Sequence, residues 1–336
     1  MTATLLAMLP AIILFEPDTY VYALTTVMAA LTLLAVLYWV YRLRHRCRRR
    51  WSSVLGTLLL AAGWYVLLYG SFVGITQLQV RHLVFESADL PDAFDGYRIL
   101  QFSDAHLGSF NGWRRPLLDR FVDSINAQKA DLIVFTGDIQ NKVPHELKPF
   151  GRQLRRISAP DGVCSVLGNH DYSDYADVDE FERTANIGRV CSAQQELGWH
   201  LLNNGWHRIR RDSASIFIAG MENDGEGRFP QFGNISSALQ GLNRRSFVVM
   251  LEHDPSSWRR KILPHSHCQL TLSGHTHGGQ LSLFGLRPLL LGYPTPAGLY
   301  REGDRALYVT TGIGGVIPIR FGVPPEIVVI TLKTRK

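Results

Sequence analysis

The sequence predicts an α/β layered sandwich preceded by a transmembrane helical segment, and three observations carry that expectation. Strand-like apolar runs alternate with helical stretches as far as Leu167, and later strands then follow one another with fewer helices between them. Two long uncharged apolar runs stand near the N-terminus. Five short clusters of Asp, His and Asn each directly follow a strand-like run, so loops at one end of a sheet can gather them.

The N-terminal part comes first. At 336 residues, with 46% apolar and 19% charged residues, the chain is long enough for one large domain and a membrane module. Thr19 to Tyr41 gives 23 residues without a charge and Trp51 to Val80 gives 30. Each exceeds the roughly 20 needed to cross a bilayer, so both read as transmembrane helices. Met1 to Phe15 is uncharged too but holds only 15 residues and a proline; a third span is the preferred reading, with a re-entrant or buried helix as alternatives. Residues 1–80 are therefore expected to form an anchor of two or three helices. Arg42, Arg44, Arg46, Arg48, Arg49 and Arg50 lie between the long spans, in a 42–50 loop, whereas Glu16 and Asp18 precede them. Positive charge favours the cytoplasmic side. This topology makes the protein a multi-pass inner (plasma) membrane protein with its soluble part, residues 81–336, outside the cytoplasm. The arginines can also meet anionic headgroups, and Arg49-Arg50 faintly resembles a twin-arginine signal, although its internal position speaks against that.

Of the net charge of +6, residues 1–50 supply six Arg against Glu16 and Asp18, leaving a nearly neutral soluble part. Nucleic acid is not an expected partner. The cysteines Cys47, Cys164, Cys191 and Cys268 form no C-x-x-C pair, and the odd number in the soluble part argues against a disulfide framework.

Within the soluble part, Arg81 to Gly96 reads as a connector with a strand-like HLVFE and a turn at Leu90-Pro91-Asp92. Strands are then expected at Tyr97 to Phe102, Leu132 to Thr136 and Val163 to Leu167, with helical stretches at Arg114 to Gln128 and His145 to Ile157 between them. Ser215 to Ala219, Phe247 to Leu251, Gln269 to Leu272, Ala306 to Thr310 and Ile327 to Leu332 complete the strand set.

After five of these strands stand Asp104-Ala105-His106, Gly137-Asp138, Gly168-Asn169-His170-Asp171, His253 and Gly274-His275-Thr276-His277. Singly, each is a turn, a helix cap or a packed histidine as readily as a ligand. In order, and each at a strand end, they amount to the donors of a two-cation centre, which needs a bridging carboxylate and terminal His, Asp or Asn ligands on ions about 4 Å apart. Asp138 has two oxygens with which to bridge. A second His-x-His, His265 and His267, precedes its strand instead of following it and lacks the flanking Gly274, Gly278 and Gly279 that permit tight turns. Imidazole, carboxylate and amide oxygen suit Mn first, with Fe or Zn as alternatives.

The blocks SDAHLG (Ser103 to Gly108), TGDIQ (Thr136 to Gln140), LGNHDY (Leu167 to Tyr172), LEHDP (Leu251 to Pro255) and SGHTHGGQ (Ser273 to Gln280) resemble those of calcineurin-like metallophosphoesterases. GLYREGD (Gly298 to Asp304) and IRFGVPPEI (Ile319 to Ile327) resemble the bacterial, membrane-anchored subgroup. The resemblance runs from about Val80 to the C-terminus. It implies two mixed β-sheets flanked by helices, with Asp104, His106, His277 and Asp138 on one ion and Asn169, His253, His275 and Asp138 on the other. It also implies that His170 contacts the phosphate or protonates the leaving oxygen, assisted by Asp171, while two cations sharing a water supply the attacking hydroxide.

The expected activity is hydrolysis of a phosphate ester or pyrophosphate. A nucleotide phosphodiesterase, a non-catalytic metal-binding sensor and a channel with a regulatory domain are the competing readings; a complete ligand set and spans free of internal charge weigh against the last two. Arg114, Arg115, Arg228 and Trp113 lie in loops and read as solvated surface. Fewer than 30 residues separate Ile75, near the end of the last span, from Asp104, so a phosphorylated lipid is a candidate substrate. The apolar stretch Phe284 to Leu299 is either a membrane-contacting lip or ordinary packing.

Overall fold

The computed structural model describes residues 17–44, 51–291 and 293–335. Met1 to Phe15, expected as a third span, lies outside them, as do Arg46, Arg48, Arg49 and Arg50 of the arginine loop. Helices α1 (Pro17–Arg44) and α2 (Trp51–Phe72) follow the two uncharged runs. Windows of 20 residues in α1 (mean hydropathy 2.0) and 23 residues beginning in α2 (1.8) are long and apolar enough to cross a membrane. The two helices are tied by indole-to-hydroxyl bonds, Trp39 Nε1 to Thr57 Oγ1 and Trp64 Nε1 to Thr32 Oγ1, both 2.8 Å. Polar groups on apolar helices find partners in this way where lipid offers none.

The run Trp51 to Val80 is not one helix. It ends as a helix at Phe72, makes a 3-10 turn over Gly74–Thr76, and enters strand β1 (Gln79–Ser87). Close approach sets the break: a Cβ on Gly74 would lie 1.7 Å from the Arg320 carbonyl oxygen. The strand-like HLVFE of the connector lies within β1, and all nine residues of β1 pair in parallel with β12 (Glu326–Thr334).

Among the described residues, twelve strands form two six-stranded mixed sheets. In the first, β1 and β12 are followed by β2 (Arg98–Phe102), β3 (Leu132–Phe135), β4 (Val163–Ser165) and β5 (His200–Leu201), in the order β1-β12-β2-β3-β4-β5. The second holds β6 (Gly205–Arg211), β7 (Ala214–Gly220), β8 (Val248–Leu251), β9 (Leu270–Ser273), β10 (Gly298–Glu302) and β11 (Arg305–Val309), in the order β10-β11-β9-β8-β7-β6. β3 and β8 are buried at every residue, as apolar runs without alternation require; β9 is buried throughout and β2 at every residue but Arg98.

Period-two side-chain alternation builds the layers. Ile99, Leu132 and Val134 pack between the sheets with Ile216, Val249, Leu270 and Leu272. Their neighbours Leu100, Ile133 and Phe135 join Leu118, Phe121 and Val122 of α3 (Arg115–Ala127) and Val190 of α4 (Glu180–Glu196). Trp258 and Ile262 cover Val248, Met250 and Leu307 on the outer face of the second sheet. The helix expected over His145 to Ile157 is a 3-10 segment, Pro144–Phe150, joined to a short turn of α-helix, Gly151–Leu154. Pro149 inside it has no N–H for a regular ladder.

One topological relation places the site. β1 runs parallel to β12, and β12 runs antiparallel to β2. The chain leaving α2 therefore enters the sheet at the end where β2 finishes, two residues before Asp104.

Candidate metal centre

The loops after β2, β3, β4, β8 and β9 carry the expected donors to one point. His106 Nε2 lies 3.2 Å from His277 Nε2 and 3.5 Å from Asp138 Oδ2, and His277 Nε2 is 3.6 Å from Asp104 Oδ1. On the other side of Asp138, His253 Nε2 is 3.2 Å from Asp138 Oδ2 and 3.2 Å from Asn169 Oδ1, which lies 2.7 Å from His275 Nδ1. Asp138 thus stands between two groups of donors and touches both. Three sets, Asp104/His106/His277, His106/Asp138/His170 and Asp104/Asp138/His253, each offer ligand atoms within 4.8 Å of one another. His265 ends a helical turn before β9 begins, so it and His267 lie at the opposite end of that strand from His275 and His277.

The backbone is bent to achieve this convergence. Asp104, His106, Asp138, His275 and His277 all have positive φ, between 43° and 72°. Non-glycine residues adopt that region at a cost, and such residues gather where geometry serves function. A Cβ at Gly168 would stand 2.2 Å from Asp138 Oδ1, so glycine is required for the β3 and β4 loops to meet.

Hydrogen bonds fix the imidazoles. The His253 Nδ1–H donates to the Thr136 carbonyl at 2.7 Å, which turns Nε2 toward Asp138 and Asn169. His275 is reversed: Nδ1 faces Asn169, while Nε2 is 3.6 Å from the buried carboxylate of Asp254. An outer carboxylate on a ligand imidazole sets its tautomer and orientation. Asp254 was not read from the sequence as a functional residue, although the His253-Asp254 pair in LEHDP was its signal.

His170 donates from Nδ1 to the Asn141 carbonyl at 2.6 Å, and its ring lies 4.7 Å from that of His106 and 4.2 Å from that of Tyr175. Tyr175 donates no hydrogen there; its hydroxyl accepts from Asn169 Nδ2 at 2.9 Å. Asp171 occupies a different place from the one expected of a partner to His170. It is wholly buried, and its oxygens accept the backbone N–H groups of Asp138 (2.9 Å), Ile139 (3.0 Å) and Gly168 (2.9 Å).

The electrostatics are those of crowded donors around a shared carboxylate. Burial, with Asp138 beside it, pushes Asp104 up to about 6, and the same two causes push Asp171 up to about 7. Burial lowers His106 to about 3 and holds His277 well below the usual imidazole range. Burial also opposes charge on His253, but the Asp138 and Asp104 carboxylates outweigh it and raise His253 to about 10. Burial opposes ionisation of Asp138 too, and there His253 and His170 prevail, holding it well below the usual carboxylate range. Ring nitrogens 3.2 Å apart beside carboxylate oxygens form a donor set that fits cations.

Of the surrounding arginines, Arg114 departs from the surface reading, while Arg115 and Arg228 are exposed as expected. Arg114 is buried and bonds through Nε to the Ser109 carbonyl, and Arg115 donates to the Pro149 carbonyl. Arg228 and Trp113 are exposed. Cys164, Cys191 and Cys268 are free thiols.

Residues 97–279 match the calcineurin-like phosphoesterase family, and the chain belongs to that family. With its dimetal site it is a metal-dependent phosphoesterase. It is 32% identical over 285 residues to YkuE of Bacillus subtilis (strain 168), an uncharacterised metallophosphoesterase, covering 82% of this chain and 92% of that one. A transmembrane protein with a metallophosphoesterase domain from Danio rerio is 30% identical over 253 residues, 73% of this chain and 55% of that one. Among solved structures, the phosphopantetheinyl hydrolase of Mycobacterium tuberculosis aligns with a TM-score of 0.40 at 12% identity, over 64% of this chain and 89% of that one.

Proposed function

We propose that the chain is a membrane-anchored phosphohydrolase whose two divalent cations share Asp138, and that its substrate is a phosphorylated or pyrophosphorylated amphiphile. The observation that carries this reading is the position of Asp138 Oδ2, 3.5 Å from His106 Nε2 on one side and 3.2 Å from His253 Nε2 on the other. Asp104, His106 and His277 complete one cation's donors; Asn169, His253 and His275 complete the other's. When bound, two such ions, Mn first among Mn, Fe and Zn, polarise phosphoryl oxygens and acidify a water enough to attack near neutral pH.

The remaining residues position and protonate. His170, with Nδ1 committed to Asn141, keeps Nε2 for the phosphate or the leaving oxygen. Asp171 is a positioning residue that holds the loop carrying Asp138. The apolar helices α1 and α2 anchor the enzyme in the inner (plasma) membrane, and the arginine-rich 42–50 loop places the catalytic domain outside the cytoplasm. The bacterial membrane-anchored subgroup is the natural home for this arrangement.

The substrate class rests on topology, since the helix leaving the bilayer joins the sheet at the end that bears the donors. Hydrolysis of a lipid phosphate in mixed micelles, compared with that of its water-soluble headgroup, tests it in the full chain. A higher kcat/KM for the lipid is expected; equal values would reduce the anchor to a matter of location.

A further inference from the structure

The rim of the metal centre reaches toward the apolar helices on two sides. On one side, β9 leads through His277 to Gln280, whose carbonyl accepts the Phe321 N–H at 2.8 Å, while the Ser282 N–H donates to the Phe321 carbonyl at 2.7 Å. The Phe321 ring packs edge-on against Tyr65 and Tyr69 of α2, with centroids 5.9 and 5.6 Å away. Beyond Ser282 the chain makes a two-residue hairpin, with Leu283 and Leu286 exchanging backbone bonds of 2.9 Å. Its tip, Phe284 and Gly285, has φ of 51° and 84°.

Such a turn ordinarily takes Asn or Gly. Here it holds a phenylalanine in a left-handed conformation with its side chain wholly exposed, beside Leu286 and Leu291, exposed to 66% and 77%. On the other side, the loop after His106 carries Trp113, which stacks on Phe72 at the end of α2 with centroids 5.6 Å apart. Trp113 and Phe72 are themselves half exposed.

These residues continue the apolar surface of α2, whose Leu58, Leu59 and Leu68 also face outward. Large apolar surface left outside a fold marks an interaction site. An indole at the foot of an apolar helix suits the interface between headgroups and water.

We infer that the 281–291 segment and the Trp113–Phe72 pair form a bilayer-contacting lip, with the Phe284 hairpin inserted among lipid tails and the metal centre opening just behind it. The occupant is the membrane in which α2 sits. The inference rests on the reading of α2 as a membrane span and gives the amphiphile a route: its phosphate reaches the centre while its chains stay in lipid.

The test uses the full chain in lipid vesicles with Cys47→Ser and Cys191→Ser, since Cys164 and Cys268 are buried. A nitroxide is placed in turn at Phe284→Cys, at Leu58→Cys on α2, and at Ser213→Cys in the β6–β7 turn at the far end of the sheets. Its collisions with oxygen, which partitions into lipid, are compared with those of a water-soluble nickel chelate. Lipid-like accessibility is expected at Phe284 and Leu58, and water-like accessibility at Ser213. A water-like Phe284 with a lipid-like Leu58 overturns the lip and leaves the anchor standing; a water-like Leu58 overturns the anchor itself. In parallel, Phe284→Asp with Leu286→Asp should lower kcat/KM for a lipid phosphate in vesicles by about tenfold or more, the order expected from losing two lipid-buried side chains. Hydrolysis of a soluble aryl phosphate should stay within roughly twofold. Equal losses on the two substrates would overturn the proposal.

Discussion

Asp171 and Asp138 are locked together through the backbone: Asp171 Oδ2 accepts the Asp138 N–H at 2.9 Å, while Asp138 Oδ1 accepts the N–H of His170, the residue next to Asp171, at 2.8 Å. The carboxylate assigned to bridge the ions is thus held by the loop that follows Asn169. Asp171→Asn would set an amide N–H against backbone donors at a wholly buried position. It should cost about 1–3 kcal/mol in stability and lower metal occupancy. Thermal unfolding with and without metal measures both. A variant of unchanged stability whose kcat–pH profile has lost a limb would instead make Asp171 an acid or base.

Asp254 orients His275 from outside the donor set. Asp254→Asn should weaken one of the two ions selectively, by about ten- to a hundredfold in affinity. Stepwise removal by a chelator, followed by metal analysis, should show one ion leaving early and the other holding as in the unmodified chain. Loss of both ions together, or of neither, would count against the separation of donors into two groups.

Arg320 couples α2 to the centre. Its backbone N–H donates to the Gly70 carbonyl of α2 at 3.1 Å, and its buried guanidinium donates to the carbonyls of Thr311 (2.7 Å) and Gly314. The Gly314 N–H in turn donates to the Asp104 carbonyl at 2.8 Å. Gly74→Ala would press a methyl group against the Arg320 carbonyl and should destabilise the protein by about 1–3 kcal/mol while weakening the ion on the Asp104 side. Gly56→Ala, within α2 and with nothing within 4 Å of the added carbon, should be neutral. Similar melting temperatures for the two variants would show that the helix and the loop are not packed as described.

The donor clusters were legible in the sequence because each follows a short strand buried on both faces over nearly all its length, and such strands are mainly apolar. Helix α4 was not, since its buried face consists of Asn186, Val190 and Gln194 and gives no apolar stripe. β1 was legible only in its HLVFE core because it is an edge strand whose first four residues are exposed; its pairing partner lies at the other end of the chain. The burial of Arg114 depends on the Ser109 carbonyl in a 3-10 turn, a contact no local pattern encodes. The assignment of His275 by Nδ1 and His253 by Nε2 likewise needs three-dimensional neighbours, Asp254 and the Thr136 carbonyl.

The bridging role of Asp138 is tested most directly by metal analysis of the purified full chain alongside hydrolysis of an aryl phosphate. The unmodified chain, His265→Ala and His267→Ala should each hold about two divalent ions and turn over alike. Asp138→Asn should lose much of its bound metal and nearly all of its activity. An Asp138→Asn protein with near-normal metal content and turnover would contradict the two-ion centre built on that carboxylate.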